Sequence, residues 1–211
     1  MADIQYNFIN LPSRIEFENG HVISYLYDAD GIKLRTTHII GSDTTVTDYC
    51  GNVIYENGIP VKLLTEAGYV TLADSKYHYF VQDHLGNNRV VVDQSGNVEE
   101  VNHYYPFGGL LSSSVSNAVQ PYKYNGKELD RKNGLDWYDY GARMYDAALG
   151  RWHAVDPMSE KYYGVSPYLY CANNPILLVD PNGMWPTWRG IRNGLNNALN
   201  TTLSFANGAV R

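Results

Sequence analysis

Short turn motifs punctuate the first half of the chain and constrain its fold more than any other feature. Four times an Asp stands three residues before a Gly: Asp28 and Gly31, Asp48 and Gly51, Asp83 and Gly86, and Asp93 and Gly96. The Asp side chain caps the first position of a tight turn, and Gly adopts the left-handed conformation that follows without steric penalty. Each motif therefore predicts a hairpin that reverses the chain.

Runs of aromatic and β-branched residues flank these turns, at residues 23–27, 77–81 and 89–92. Such runs between turn residues are typical of β-strands, and the uneven spacing of the turns argues against a strict solenoid period. The chain also has 19 Tyr in 211 residues. Because Tyr joins an apolar ring to a hydroxyl that tolerates water, it suits half-exposed sheets. The sequence predicts an all-β fold, an antiparallel, Tyr-rich β-hairpin sheet.

The net charge of −6 disfavours a nucleic-acid partner for the body of the protein. Residues 185–211 contain three Arg and no acidic residue, so the rest of the chain has 13 of the 16 basic residues against all 22 acidic ones, a charge of −9. Body and tail therefore have opposite signs.

Cysteine and histidine usage gives no sign of a metal or cofactor site. Cys50 and Cys171 are far apart and fit free thiols better than a disulfide, and the six His show no ligand spacing. No apolar signal segment follows Met1 and no long apolar run exists. We expect synthesis in the cytoplasm without a signal peptide, and export to the cell surface or beyond through a dedicated secretion system.

The segment from Gly134 to Met184 carries the most specific pattern. Two Asp-Pro pairs, Asp156-Pro157 and Asp180-Pro181, lie in it, and the second continues as Asn182-Gly183-Met184. Three stretches follow in order: GLDWYDYGARMYDAALGRW, VDPMSEKY and PYLYCANNPILLVDPNGM. They resemble the repeat-associated core of RHS/YD-repeat proteins: a Tyr-rich block with Arg-Tyr-Tyr-Asp, a Gly-Arg-aromatic block leading to Asp-Pro, and an Asn-Asn-Pro…Asp-Pro-x-Gly terminus. These proteins are large β shells that carry a variable C-terminal toxin.

The resemblance implies that residues 134–184 plug one end of a shell and cut their own chain. Asp156 and Asp180 would form an aspartyl-protease-like pair, and the scissile bond would join Met184 to Trp185. Many family members have Leu at the position of Met184, an apolar residue of similar size. Arg151 matches a basic position of the motif, where it would orient a carboxylate or stabilise the oxyanion; a purely structural ion pair is the open alternative.

Two neighbouring carboxyl groups suit peptide hydrolysis because they cannot both ionise cheaply and so share a proton. One then activates water while the other protonates the leaving amine. A turn-forming role is the alternative for both aspartates, since Asp-Pro-Asn-Gly is by itself a good turn. Asn182 offers a rival chemistry, because its amide can attack its own backbone carbonyl and break an earlier bond.

The tail from Trp185 to Arg211 reads as a different polypeptide. Its apolar residues recur at nearly helical spacing: Trp188, Ile191, Leu195, Leu199 and Leu203. The expected organisation is a YD-repeat hairpin region in residues 1–133, the core in 134–184 and the start of a variable toxin region in 185–211. A short helix in this tail would have a basic, amphipathic face suited to a membrane surface.

The function that follows is a shell segment that encloses and, by a single-turnover self-cleavage at most, releases its own C-terminal polypeptide. Further expected partners are the remaining shell or another copy at open sheet edges, together with secretion machinery and an immunity protein. An exposed edge is expected near the N-terminus, at strands such as residues 23–27. The alternative is a binding module without self-cleavage that recognises carbohydrate or protein.

Overall fold

The computed structural model describes residues 3–112, 114–116 and 120–184 of the chain. None of the helical segments in these residues has the length and hydropathy that a membrane-spanning helix needs. The expected tail helix and the residue after Met184 lie outside the described residues. Both sheets of the described chain are antiparallel, so the all-β prediction is confirmed.

Twelve strands of the described chain form one sheet in which each strand pairs with its neighbours in sequence. They are β1 (Asp3–Tyr6), β2 (Pro12–Glu16), β3 (Val22–Tyr27), β4 (Lys33–Ile40), β5 (Asp43–Cys50), β6 (Val53–Glu56), β7 (Ile59–Thr65), β8 (Gly68–Thr71), β9 (Lys76–Gln82), β10 (Asn88–Asp93), β11 (Val98–Val101) and β12 (Val115–Ser116). The outermost strands are β1 and β12. The sequence placed an exposed edge near the N-terminus, at strands such as residues 23–27. The edge strand at that end is β1. The expectation for residues 23–27 is wrong, because β3 pairs with both β2 and β4.

Three of the four Asp-x-x-Gly motifs form the predicted turn. In each, the Asp Oδ1 atom accepts hydrogen bonds from the backbone N–H groups two and four residues later, at Asp28, Asp83 and Asp93. Asp48 is the exception. It lies inside β5, where its Oδ1 atom accepts a hydrogen bond from Arg35 on β4 at 2.5 Å, and Gly51 and Asn52 alone make the turn to β6.

Residues 120–184, which we call the plug, form a second, small sheet. Its strands pair in sequence order: β13 (Glu128–Asp130), β14 (Trp137–Asp139), β15 (Met144–Asp146) and β16 (Arg151–Trp152). Four single 3₁₀ turns accompany them: Tyr124–Gly126 before β13, Lys132–Gly134 between β13 and β14, and Ser159–Lys161 and Cys171–Asn173 after β16. The core of the plug is mostly aromatic: Tyr124, Leu129, Tyr138, Tyr140, Tyr145, Trp152, Tyr170 and Cys171.

One face of the twelve-stranded sheet packs against this plug. Ile15 and Ile23 are fully buried in a cluster with Trp137 and Met144 of the plug. A polar contact supports it: the Lys33 ammonium lies 2.7 Å from the carboxylates of both Glu128 and Asp139. The small sheet therefore packs against the large one, and the residues of the candidate site lie next to the strands of the small sheet.

Candidate functional site

Asp180 organises the turn that ends the described chain. Its Oδ1 atom accepts hydrogen bonds from three successive backbone N–H groups, those of Asn182 at 3.3 Å, Gly183 at 2.8 Å and Met184 at 3.2 Å. The residue before a proline is pushed away from helical geometry, which lets the chain fold back over the Asp side chain. The carboxyl group is thereby fixed to the residue that precedes the predicted cleavage point.

Gly183 is required by this turn. Its φ of +76° lies in the left-handed region, and a Cβ atom there would stand 3.1 Å from the backbone N of Arg143 and 3.2 Å from Cβ of Tyr140. Both neighbours lie in the connection between β14 and β15 and are buried, with 2% of Tyr140 and 1% of Arg143 exposed. The Gly of the Asp-Pro-x-Gly motif is therefore needed for close approach as well as for its conformation.

Arg143 joins the two Asp-Pro aspartates. Its Nη2 atom lies 3.0 Å from Oδ2 of Asp156 and 3.7 Å from Oδ2 of Asp180. Its Nη1 atom donates a hydrogen bond to the carbonyl of Pro167 at 3.0 Å, and its guanidinium stacks 4.2 Å above the Trp152 ring. Only 1% of Arg143 is exposed, so both carboxyl groups meet one buried cation despite their separation in sequence.

Asp156 is held from the other side by its own turn. Its Oδ1 atom accepts the N–H of Met158 at 2.7 Å, and its backbone N–H donates to the carbonyl of Pro167 at 3.1 Å. These bonds leave its Oδ2 atom directed at Arg143. Asp156 is therefore the carboxylate with the direct, charge-assisted hydrogen bond to the guanidinium.

The two aspartates differ in their electrostatic environment. Burial raises the pKa of the Asp180 carboxyl, against the opposing effects of the three N–H groups and of Arg143. Its Oδ2 atom is buried and has no hydrogen-bond partner. When one oxygen of a carboxyl group accepts several N–H donors and the other forms no hydrogen bond, a proton can reside on the second oxygen. The arrangement suits Asp180 to a proton-donating role, while Asp156 directs its Oδ2 atom at the guanidinium.

Arg151 does not reach the pair, and the guanidinium between the carboxylates belongs to Arg143. Arg151 is exposed, and it forms no ion pair with Asp156 or Asp180 among the described residues. The reason is strand alternation: Trp152, the next residue in β16, points into the core, so Arg151 points away from it. Sequence reasoning missed Arg143 although it occupies the Arg position of the family's Arg-Tyr-Tyr-Asp block.

Within the described part of the chain, no group of three or more His, Cys, Asp or Glu residues is arranged to hold a metal ion. Both thiols are free, that of Cys50 exposed and that of Cys171 buried. Burial raises the pKa of the Cys171 thiol to about 12. The chemistry available at the site is therefore that of two carboxyl groups and a guanidinium.

Comparison with known proteins decides the family. The family model described as the teneurin YD-shell matches residues 63–176, which is more than half of the chain. This protein belongs to the RHS/YD-repeat shell family. The match covers the second half of the large sheet and most of the plug.

Individual relatives of this shell protein come from insects and bacteria. It is 32% identical to salivary gland surface protein 1 of Aedes aegypti over 81% of this chain and 6% of that protein. It is 31% identical to toxin subunit YenC1 of Yersinia entomophaga over 66% of this chain and 16% of that one. The chain therefore spans less than a fifth of the length of either relative.

The fold of the shell protein also matches solved structures. A chain of the Photorhabdus luminescens Tc holotoxin pore superposes with a TM-score of 0.72 over 88% of this chain and 10% of that one, at 22% identity. The TcdB2–TccC3 complex with Cdc42 gives a TM-score of 0.73 over 93% of this chain and 10% of that one, at 20% identity. These similarities support the fold alone.

Proposed function

We propose that this chain is the closing segment of a YD-repeat shell and that it cuts itself after Met184 through Asp156 and Asp180. The observation that carries the proposal is the position of Arg143, whose Nη2 atom lies within 4 Å of both carboxyl groups. The turn that presents Met184 is itself built on Asp180. The proposed acid, the proposed base and the residue before the bond to be broken are thus linked in one arrangement.

The reaction is hydrolysis of the peptide bond between Met184 and Trp185. The Asp156 carboxylate takes a proton from a water molecule, and the water oxygen bonds to the Met184 carbonyl carbon. Asp180 gives its proton to the nitrogen of Trp185 as the C–N bond breaks. The products are a carboxylic acid at Met184 and an amine at Trp185; the acid passes its proton to the amine, leaving a carboxylate and an ammonium group. The proton taken up by Asp156 passes to Asp180 and restores the pair.

The arrangement favours a single intramolecular turnover. The substrate segment is covalently attached and held by the Asp180 side chain, so the reaction is unimolecular and needs no substrate-binding cleft. The new carboxylate stays on residues 181–184, and the polypeptide that begins at Trp185 is freed. This polypeptide is the cargo that the shell encloses.

The relatives support a toxin or effector as the cargo. Besides the Yersinia toxin subunits, they include the tRNA nuclease WapA of Bacillus subtilis, 28% identical over 79% of this chain, and toxin protein Tse5 of Pseudomonas aeruginosa, 28% identical over 54%. We propose export through a secretion system, an immunity protein in the producing cell, and pairing of further shell at the outermost strands β1 and β12. The basic tail adds a contact to a membrane surface.

The test is the intact mass of the full chain after refolding from urea, with Asp156→Asn and Asp180→Asn as the variants. We expect the wild type to separate into residues 1–184 and 185–211 and both variants to stay whole. Asp93→Asn is the matched control, because Asp93 caps a turn through its Oδ1 atom as Asp180 does but lies on the large sheet. Asp180→Asn cut at the wild-type rate would falsify the assignment.

Two alternatives give different results in the same experiment. Attack by the Asn182 amide on its own carbonyl would produce a fragment ending at residue 182, which mass resolves from residue 184. A folded wild-type chain that stays whole would favour a binding module. The exposed side chains of Tyr77, Tyr79 and Val81 on one face of β9 are the observation behind that second function, and a glycan array with the folded chain tests it directly.

A further inference from the structure

Lys127, the residue before β13, contacts the turn that carries Asp180. Its Nζ atom donates a hydrogen bond to the carbonyl oxygen of Pro181 at 2.6 Å, and it stands 5.2 Å above the Tyr140 ring. Its backbone is fixed at both ends, since its N–H donates to the carbonyl of Tyr124 and its carbonyl accepts from the N–H of Lys123. The Lys127 ammonium therefore extends from a hydrogen-bonded turn to the backbone carbonyl of Pro181.

Three successive carbonyls of the terminal turn are held by three separate donors. Lys127 binds that of Pro181, the backbone N–H of Ala142 binds that of Asn182 at 3.1 Å, and Nε of Arg143 binds that of Gly183 at 2.5 Å. The N–H groups on the opposite side all go to Asp180. Of the three carbonyl donors, Lys127 is the one that brings charge without touching Asp156.

The charges around this contact come from four groups. Burial lowers the pKa of the Lys127 ammonium, while the charges of Asp139 and Asp180 favour its protonated form. Asp180 in turn faces Arg143 through its Oδ2 atom, and the buried thiol of Cys171 senses its charge. Lys127 is thus a second cation near Asp180, besides Arg143.

We propose that Lys127 is a positioning residue for the self-cleavage, holding the Pro181 carbonyl so that Asp180 and Met184 keep their places in the turn. The inference rests on the proposed function and adds a residue to which no step of that mechanism assigns a role. Lys127 does not contact the reacting atoms; it acts through the backbone and through its charge.

The experiment follows the cleavage rate of the full chain after dilution from urea, from about pH 4 to 9, for Lys127→Met, Lys127→Gln and Lys127→Arg. Met removes the donor and the charge, Gln removes only the charge, and Arg keeps both. Lys76→Met is the matched control, because Lys76 is exposed on β9 and pairs with Asp74. Tryptophan fluorescence during the same time course reports whether each variant folds.

We expect Lys127→Met to slow cleavage by roughly a hundredfold, the effect of a small displacement at a reacting centre, and Arg to restore most of the rate. Removing a cation near Asp180 disfavours its ionised form, so in Met and Gln the loss of rate at high pH should shift upward by about one pH unit. If Lys127 had a purely structural role, the loss of cleavage rate at high pH would occur at the same pH in the variants as in the wild type.

The outcomes separate this proposal from the one on which it rests. If the wild type and Lys76→Met are cut, and Lys127→Met folds and is cut at the same rate with the same pH profile, Lys127 is not a positioning residue although the cleavage stands. If the wild type stays whole while folded, the cleavage itself fails. If Lys127→Met does not fold, the comparison of Gln with Arg decides: equal rates and pH profiles reject the role of its charge.

Discussion

The Nε atom of Arg143 donates a hydrogen bond to the carbonyl oxygen of Gly183 at 2.5 Å, so the guanidinium that bridges the two aspartates also holds the backbone directly before Met184. This single side chain links Asp156, Asp180 and the backbone of Gly183. Its planar fork makes this possible, because the guanidinium presents donors in several fixed directions at once. Burial lowers the pKa of Arg143, and the charges of Asp156 and Asp180 oppose that shift.

Replacement of Arg143 should therefore abolish cleavage even when the charge is retained. Arg143→Lys keeps a cation but cannot contact Asp156, Pro167 and Gly183 together, and we expect the cleavage rate to fall by about a hundredfold or more. Arg143→Ala leaves buried carboxyl groups without a partner and should also destabilise the fold by about 3–5 kcal/mol. Arg151→Ala is the control and should be cut like the wild type. Intact mass against time and urea denaturation measure the two effects; an unaffected Arg143→Lys would reject the bridging role.

Gly183→Ala should stop cleavage through local geometry. The added Cβ would meet the backbone of Arg143 at 3.1 Å, which displaces the turn from Asp180. Gly134→Ala is the matched control, since Gly134 has a similar φ of +71° but open space around it. Both variants carry the strain of a left-handed Ala, about 1–2 kcal/mol, and only the first should remain uncut. Equal cleavage of the two in a refolding time course would show that the close approach at Gly183 has no role.

The pH dependence of the rate should reflect Asp180. Because burial raises the pKa of its carboxyl, the protonated form that serves as the acid is present below that raised pKa and is lost as the pH rises through it. The rate should therefore decline as the pH rises through the pKa of Asp180. A rate that continues to rise in alkaline buffer would instead indicate hydroxide-driven chemistry at Asn182 or elsewhere.

The local parts of this structure were predictable from the sequence, and the parts that depend on packing were not. Asp28, Asp83 and Asp93 cap turns through atoms at most four residues away, so the motif alone determines the contact. Asp48 has the same motif, but a cross-strand Arg35 competes for its carboxylate.

The candidate site, like the turns, was only partly predictable from the sequence. The sequence paired Asp156 with Asp180, and the structure places both beside one buried cation. Which arginine supplies that cation depends on the face that Trp152 buries, because neighbours in a strand point to opposite sides. Spacing along the chain does not contain this information, and only the family's Arg-Tyr-Tyr-Asp block pointed to Arg143.

Asn125 should be the residue on which the attachment of the plug to the β9–β10 turn depends most. Its Oδ1 atom accepts the hydroxyls of Tyr140 at 2.6 Å and Tyr170 at 2.7 Å, while its Nδ2 atom donates to the carbonyl of Leu85 at 2.9 Å. Asn125→Asp keeps the size and the tolerance for its φ of +50°, but it removes the donor and leaves the Leu85 carbonyl unpaired. We expect a loss of about 2–3 kcal/mol in the free energy of unfolding.

The matched control for this change is Asn57→Asp, measured in the same uncut Asp180→Asn chain by urea denaturation. Asn57 has nearly the same φ of +51° but lies exposed in a hairpin, where its Oδ1 atom accepts the N–H of Val46, a role that Asp also fills. Its substitution should therefore change stability by less than about 0.5 kcal/mol. Equal losses at the two positions would mean that the Leu85 carbonyl finds another partner, and that other contacts, such as the hydrogen bond from the Asn125 backbone N–H to Asn87, hold the plug to this turn.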